Sequence, residues 1–185
     1  MARLRSSVLL LAPALGLSLA LLLPREANAF ERQWHVGANA GYSALLTAPG
    51  ATLHGFGGGL HLTYGLSDTL NLLVTGDVTV HPASKDKGHA VDGLVLAGGN
   101  LGVGYVFDIL QWVPYVGATV GGYYAIGPTD SGPRLALSIP FGLDYQISRS
   151  FAVGAAGEYK LLLLDALGAS QRISGFLRAE YIWGF

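Results

Sequence analysis

Cysteine is absent from the 185 residues, which excludes a disulfide framework, a cysteine-ligated zinc or iron–sulfur site, and thiol catalysis. Charge is scarce as well. Lys, Arg, Asp and Glu make up 12% of the chain, about half the roughly 25% usual for soluble domains, while mean hydropathy is +0.43. An ordinary water-facing surface is hard to build from so few ions. Basic residues number 11 against 12 acidic ones, so there is no electrostatic footprint for nucleic acid. Helical apolar stripes are missing too, and so are the Gly-x-Ser-x-Gly, His-Glu-x-x-His and Gly-x-x-x-x-Gly-Lys motifs that would mark a hydrolase elbow, a zinc protease or a phosphate loop. No cofactor is expected.

The first 29 residues read as a cleaved secretory signal peptide. Arg3 and Arg5 precede a Leu-rich run from Val8 to Leu23, and Ala27-Asn28-Ala29 supplies the small-residue cleavage site. The apolar run is shorter than the roughly 20 residues a membrane-spanning helix needs. Removing the leader leaves 30–185 as one domain, with 8 basic residues against 11 acidic ones and a net charge of −3.

In that domain the pattern is period 2 throughout. From Arg134 to Ile147 the odd positions are Leu135, Leu137, Ile139, Phe141, Leu143, Tyr145 and Ile147, while the even ones are small or polar. The same reading places strands at about 32–45, 54–66, 70–81, 94–107, 113–125, 134–147, 151–163 and 172–185. Short connections (Ser67-Asp68-Thr69, Asp108 to Trp112, Ser148-Arg149-Ser150) alternate with longer ones at 46–53, 82–93, 126–133 and 164–171. That alternation is the pattern of an eight-stranded, antiparallel, up-and-down transmembrane β-barrel with short periplasmic turns.

Two other folds compete. A soluble barrel, apolar inside and polar outside, has the same period, but Asp77, Arg134, Asp144, Glu158, Lys160, Arg178 and Glu180 are nearly the only ionised strand residues, too few to solvate an exterior. They are placed in the lumen instead. The uncharged stretch from Ile109 to Thr129 is long enough for a membrane helix, but Pro114, Pro128 and its glycines are poor helix material. Aromatic placement is an independent check. Trp34, Tyr64, Tyr105, Trp112, Tyr145, Tyr181 and Trp183 gather at the periplasmic ends once the chain is threaded up and down, as a girdle at a membrane boundary requires.

On these strands the domain resembles the small outer-membrane β-barrel family, the membrane domain of OmpA and its stand-alone relatives OmpX and OmpW. The most specific element is the last strand, where Tyr181, Trp183 and Phe185 alternate on the lipid face. The resemblance implies that they form the signal read by the barrel-assembly machinery, and that the surroundings are outer-membrane lipid and lipopolysaccharide of a Gram-negative cell. No peptidoglycan-binding segment follows in this sequence, so no cell-wall tether is expected.

Eight strands leave a lumen that side chains can fill. If the last hairpin turns near Gly168, Glu158 faces Arg178, a pair resembling the acid and arginine of the OmpA interior. Asp77, Lys160 and Glu180 extend that network, and Asp144 accepts from Tyr115. His54, His81 and His89, beside Asp86 and Asp92, offer a loose set of metal donors with no motif spacing; solvated loop histidines are the plainer reading. The expected role of a monomer of this kind is structural, in envelope integrity or surface interaction. A narrow gated channel and a lipid A modifying enzyme are the alternatives, although the latter has only His81 and Ser84 around Pro82 to offer.

Overall fold

The computed structural model describes residues 31–47, 50–86, 89–107, 109–128, 131–163 and 170–184. The leader, 1–29, and Phe185 lie outside them. The chain forms β1 (Trp34–Leu46), β2 (Thr52–Gly65), β3 (Leu70–His81), β4 (Ser84–Asp86), β5 (His89–Val91), β6 (Leu94–Val106), β7 (Trp112–Ile126), β8 (Gly132–Ser148), β9 (Phe151–Leu163) and β10 (Ser170–Trp183). Eight of these strands close into a barrel in the order β1-β2-β3-β6-β7-β8-β9-β10, with β10 returning to β1. Every neighbouring pair is antiparallel. Closure pairs the backbone polar groups of the wall, which an apolar medium demands.

The stretch 82–93, expected to be a plain loop, carries a small separate hairpin of β4 and β5. Three-residue strands are too short to show alternation, which is why the sequence conceals them. The uncharged stretch suspected of helix contains β7: its β-branched residues and glycines suit a pleated wall, and no helix among the described residues is long and apolar enough to cross a membrane.

Burial follows the period-2 pattern with the sense of a soluble protein reversed. Along β8, Leu135, Leu137, Ile139, Phe141 and Leu143 point outward and are exposed, while Arg134, Ala136, Ser138 and Asp144 are buried. The largest fully buried side chains in the molecule are Arg172 and Lys160. At the outer β1–β2 turn, Gly50 adopts φ +82°, a left-handed conformation that glycine reaches without strain; its N–H donates to Thr47 O at 2.9 Å. At the opposite end, Ser67 Oγ accepts from the N–H of Leu70 at 3.1 Å and holds the short β2–β3 turn.

Candidate functional site

The outer wall is a belt of exposed Val, Leu, Ile and Phe side chains, bounded at the short-turn end by paired aromatic rings. Register sets Trp34 beside both Trp183 and Tyr64, with ring centroids 6.3 and 4.5 Å apart. Tyr181 stacks on Trp183 at 5.9 Å, and Trp112 meets Tyr145 at 4.9 Å. Tyr105 packs on Phe107 at 4.8 Å. At the other end Tyr42 and Phe56 form a sparser pair, 5.9 Å apart. An exterior this apolar has no aqueous counterpart among soluble domains; the wall is built to stand in lipid.

The inner face gathers the ionised groups into two clusters. In the one nearer the long-loop end, the Arg172 guanidinium reaches Asp77 Oδ2 at 2.7 Å and Glu158 Oε2 at 3.0 Å. Lys160 Nζ lies 3.3 Å from Asp77 and 3.2 Å from Glu158. Tyr123 donates its hydroxyl to Asp77 and accepts from Lys160, while Asn100 Nδ2 donates to the same hydroxyl at 3.0 Å. Arg172 also donates to Thr79 Oγ1 at 3.2 Å. Two cations face two carboxylates, and both cations are 0% exposed.

The second cluster, toward the short turns, is centred on Arg178. Its guanidinium contacts Glu180 and the Tyr115 hydroxyl, and its Nε lies 3.3 Å from Asp144 Oδ1. Two imidazoles flank the same carboxylate: His61 Nε2 is 2.7 Å from Glu180 Oε1, and His35 Nδ1 is 3.2 Å from Oε2. Glycines on facing strands make the space. A Cβ on Gly37 would meet the His61 ring at 2.4 Å, and one on Gly142 would meet the Tyr115 ring at 2.6 Å. One on Gly154 would meet Asp144 Oδ1 at 2.1 Å.

Small cavities remain in the lumen. One of about 40 Å³ is lined by Asn71, Tyr115, Asp144, Arg178 and Glu180; one of about 60 Å³ lies between the clusters, lined by Asp77 and Glu158 together with Tyr115 and Arg178. Each is sized for a few water molecules.

Asp77, Asp144, Glu158, Lys160, Arg178 and Glu180 therefore all point inward, but the expected partners change. Glu158 lies opposite Ser174, and Arg178 lies opposite Gly154. The β9–β10 register is set four residues away from the expected one because the two strands meet nearer to each other in sequence than a turn at Gly168 allows. Glu158 binds Arg172 and Lys160 instead, and Arg178 joins Tyr115 to Asp144. Arg172, His35 and His61 escaped the sequence reading, yet each shares the parity of the inward residues on its own strand. His54 faces outward against Tyr42, whereas His81 is buried inward, 3.3 Å from Ser43 Oγ. The loose metal set is thus split across the wall. The side chains of Asp86 and His89 lie outside the described residues. No group of three His, Asp or Glu among the described residues is arranged to hold a metal.

The lumen is also not polar throughout. At the long-loop end Leu45, Leu53, Leu94, Leu96, Ala125, Ala136 and Leu162 turn inward and pack with the Tyr123 ring into one buried apolar cluster, against which Val91 of β5 rests. Above the outer charged residues most inward positions on β2, β6, β7 and β9 become leucine and alanine, while Arg134, His81 and Ser170 are buried among them.

No protein-family model matches the sequence, and no curated protein matches it. The architecture does have counterparts among solved structures. Neisserial surface protein A superposes with a TM-score of 0.61 at 19% identity, covering 82% of this chain and 97% of that one. The likeness is one of fold, over the eight-stranded antiparallel closed barrel. Ail, the attachment invasion locus protein of Yersinia pestis, in complex with the heparin analogue sucrose octasulfate, gives 0.55 at 17% identity, over 83% of this chain and 99% of its own. The outer membrane protein OprG from Pseudomonas aeruginosa gives 0.56 at 10% identity, over 86% and 100%. These likenesses reach the whole barrel and are likenesses of fold.

Proposed function

We propose that this protein is a monomeric, non-catalytic barrel of the Gram-negative outer membrane, closed along its lumen, with a structural or surface-contact role. The observation that carries this reading is the filling of the interior: two ion-pair clusters under an apolar cluster, with water-sized cavities of about 40 and 60 Å³ beside them. A solute would have to displace the apolar side chains and then pass the charged residues beneath them. The rings around Trp34, Trp112 and Tyr181 would seat the wall in outer-membrane lipid and lipopolysaccharide, and Tyr181, Trp183 and Phe185 would present the last strand to the barrel-assembly machinery. Among its structural neighbours, one is named for attachment and invasion and was solved with a heparin analogue. That neighbour favours surface contact over turnover.

Gel mobility of the detergent-extracted protein, with and without boiling, tests the closed barrel: a heat-dependent shift in the outer-membrane fraction is expected. Planar-bilayer recording of the purified protein tests the closed lumen. Silence is expected, and stepwise conductance of the wild-type protein would replace this reading with a conduit. Identical lipid A mass spectra from cells with and without the protein are expected, whereas a new lipid A species would restore the enzyme.

A further inference from the structure

We infer that the barrier to passage through this barrel is the apolar cluster at its outer mouth, and that the salt bridges beneath it are not the gate. The inference rests on the closed-lumen reading above and names the part of the lumen responsible.

Six of the eight wall strands contribute an apolar side chain to this roof. Leu45 on β1 is paired with Leu53 on β2, Leu96 on β6 with Ala125 on β7, and Ala136 on β8 with Leu162 on β9. The remaining two strands close the ring with His81, which faces Leu94 across β3 and β6, and Ser170, which faces Leu162 across β10 and β9; Arg134 of β8, beside Tyr123, is the one cation buried at its edge among the described residues. Leu53 is 0% exposed although it sits within one residue of the end of its strand. So deep a burial at a strand end requires that the mouth itself be filled. Val91, from the hairpin over the mouth, adds to the roof from above.

The chemistry of the two layers differs in what each does to an ion. A passage lined by carboxylates, guanidinium and hydroxyls can exchange its pairs for water, and the cavities flanking Arg178 and Glu158 show that water has room beside them. An apolar constriction offers an ion no replacement for its hydration shell and closes by dewetting.

The absence of native cysteine allows a direct test. Ser174 is buried, hydrogen-bonds to Ser43 Oγ at 3.1 Å, and lies one inward step below the Leu45 level. Ser174→Cys in the otherwise native barrel is expected to resist a membrane-impermeant thiol reagent added outside. Leu53→Ser with Leu94→Ser, or Val91→Asp on the hairpin, is expected to raise its labelling rate at least tenfold. The double variant is further expected to produce channel openings, while Arg178→Ala under an intact roof stays silent. Rapid labelling of Ser174→Cys with the roof intact would overturn the inference, and so would conductance from Arg178→Ala. Heat-shifted, folded roof variants that remain silent and unlabelled would overturn it as well. Conductance of the wild-type protein is a separate result, counting against the closed lumen itself.

Discussion

The two charge clusters inside the barrel are built from the same chemistry to different balances. The outer one sets Lys160 and Arg172, both fully buried, against Asp77 and Glu158. The inner one sets a single guanidinium, Arg178, against Asp144 and Glu180, adds His35 and His61, and borders a cavity large enough for water. A cluster with two cations against two carboxylates has no spare charge to absorb a change. An acid-rich one, with two imidazoles as further partners for its carboxylate, has room for a change. Removing a group should therefore cost more above than below, and the sign of the effect should depend on which charge is removed.

Arg172→Ala is the largest expected effect. It strips Asp77 and Glu158 of their shared partner and leaves two carboxylates on Lys160 alone, at a cost of about 3–5 kcal/mol. Urea titration of the refolded protein in detergent, followed by loss of the heat-shifted band, reads it directly. Asp77→Asn comes next at about 2–3 kcal/mol, since it leaves two buried cations facing Glu158 and weakens the acceptor held by Tyr123. Arg178→Ala, although it removes the hub of its cluster, is expected to cost less, about 1–2 kcal/mol, because Glu180 keeps its contacts with His35 and His61. If Arg178→Ala proves more damaging than Arg172→Ala in the same titration, the comparison between the clusters is wrong.

The difference between the clusters is only partly visible in sequence. Alternation of side chains across a pleat is a local property, so strand positions, the outward aromatic ends and the inward parity of Asp77, Asp144, Glu158, Lys160, Arg178 and Glu180 could all be read along one strand at a time. Which inward residue meets which is a property of register between strands, and register depends on where each hairpin turns. A turn placed slightly wrong moved Glu158 from Ser174 to Arg178 and concealed Arg172 as its partner. The roof was hidden for another reason. Leu45, Leu53, Leu94 and Leu162 sit where strand and loop meet, and a leucine there gives no periodic signal of its own. Only closure of the wall brings them together.

Asp144→Asn has the smallest expected effect and bears most sharply on charge balance. Asp144 lies on β8, across the lumen from most of its cluster, and its only ion-pair contact among the described residues is Arg178 Nε at 3.3 Å. The amide is nearly isosteric, keeps an acceptor for Arg178, and leaves that guanidinium paired with Glu180. Counting the two carboxylates and the guanidinium, the substitution takes the cluster from one excess negative charge to none. Lost attraction and relieved repulsion then offset each other, and stability should stay within about 1 kcal/mol of the native value. The matched change above, Asp77→Asn, removes the same charge from a cluster that has none to spare. A loss at Asp144 as large as that at Asp77, in the same urea titration, would show that geometry rather than charge balance sets the cost in both places.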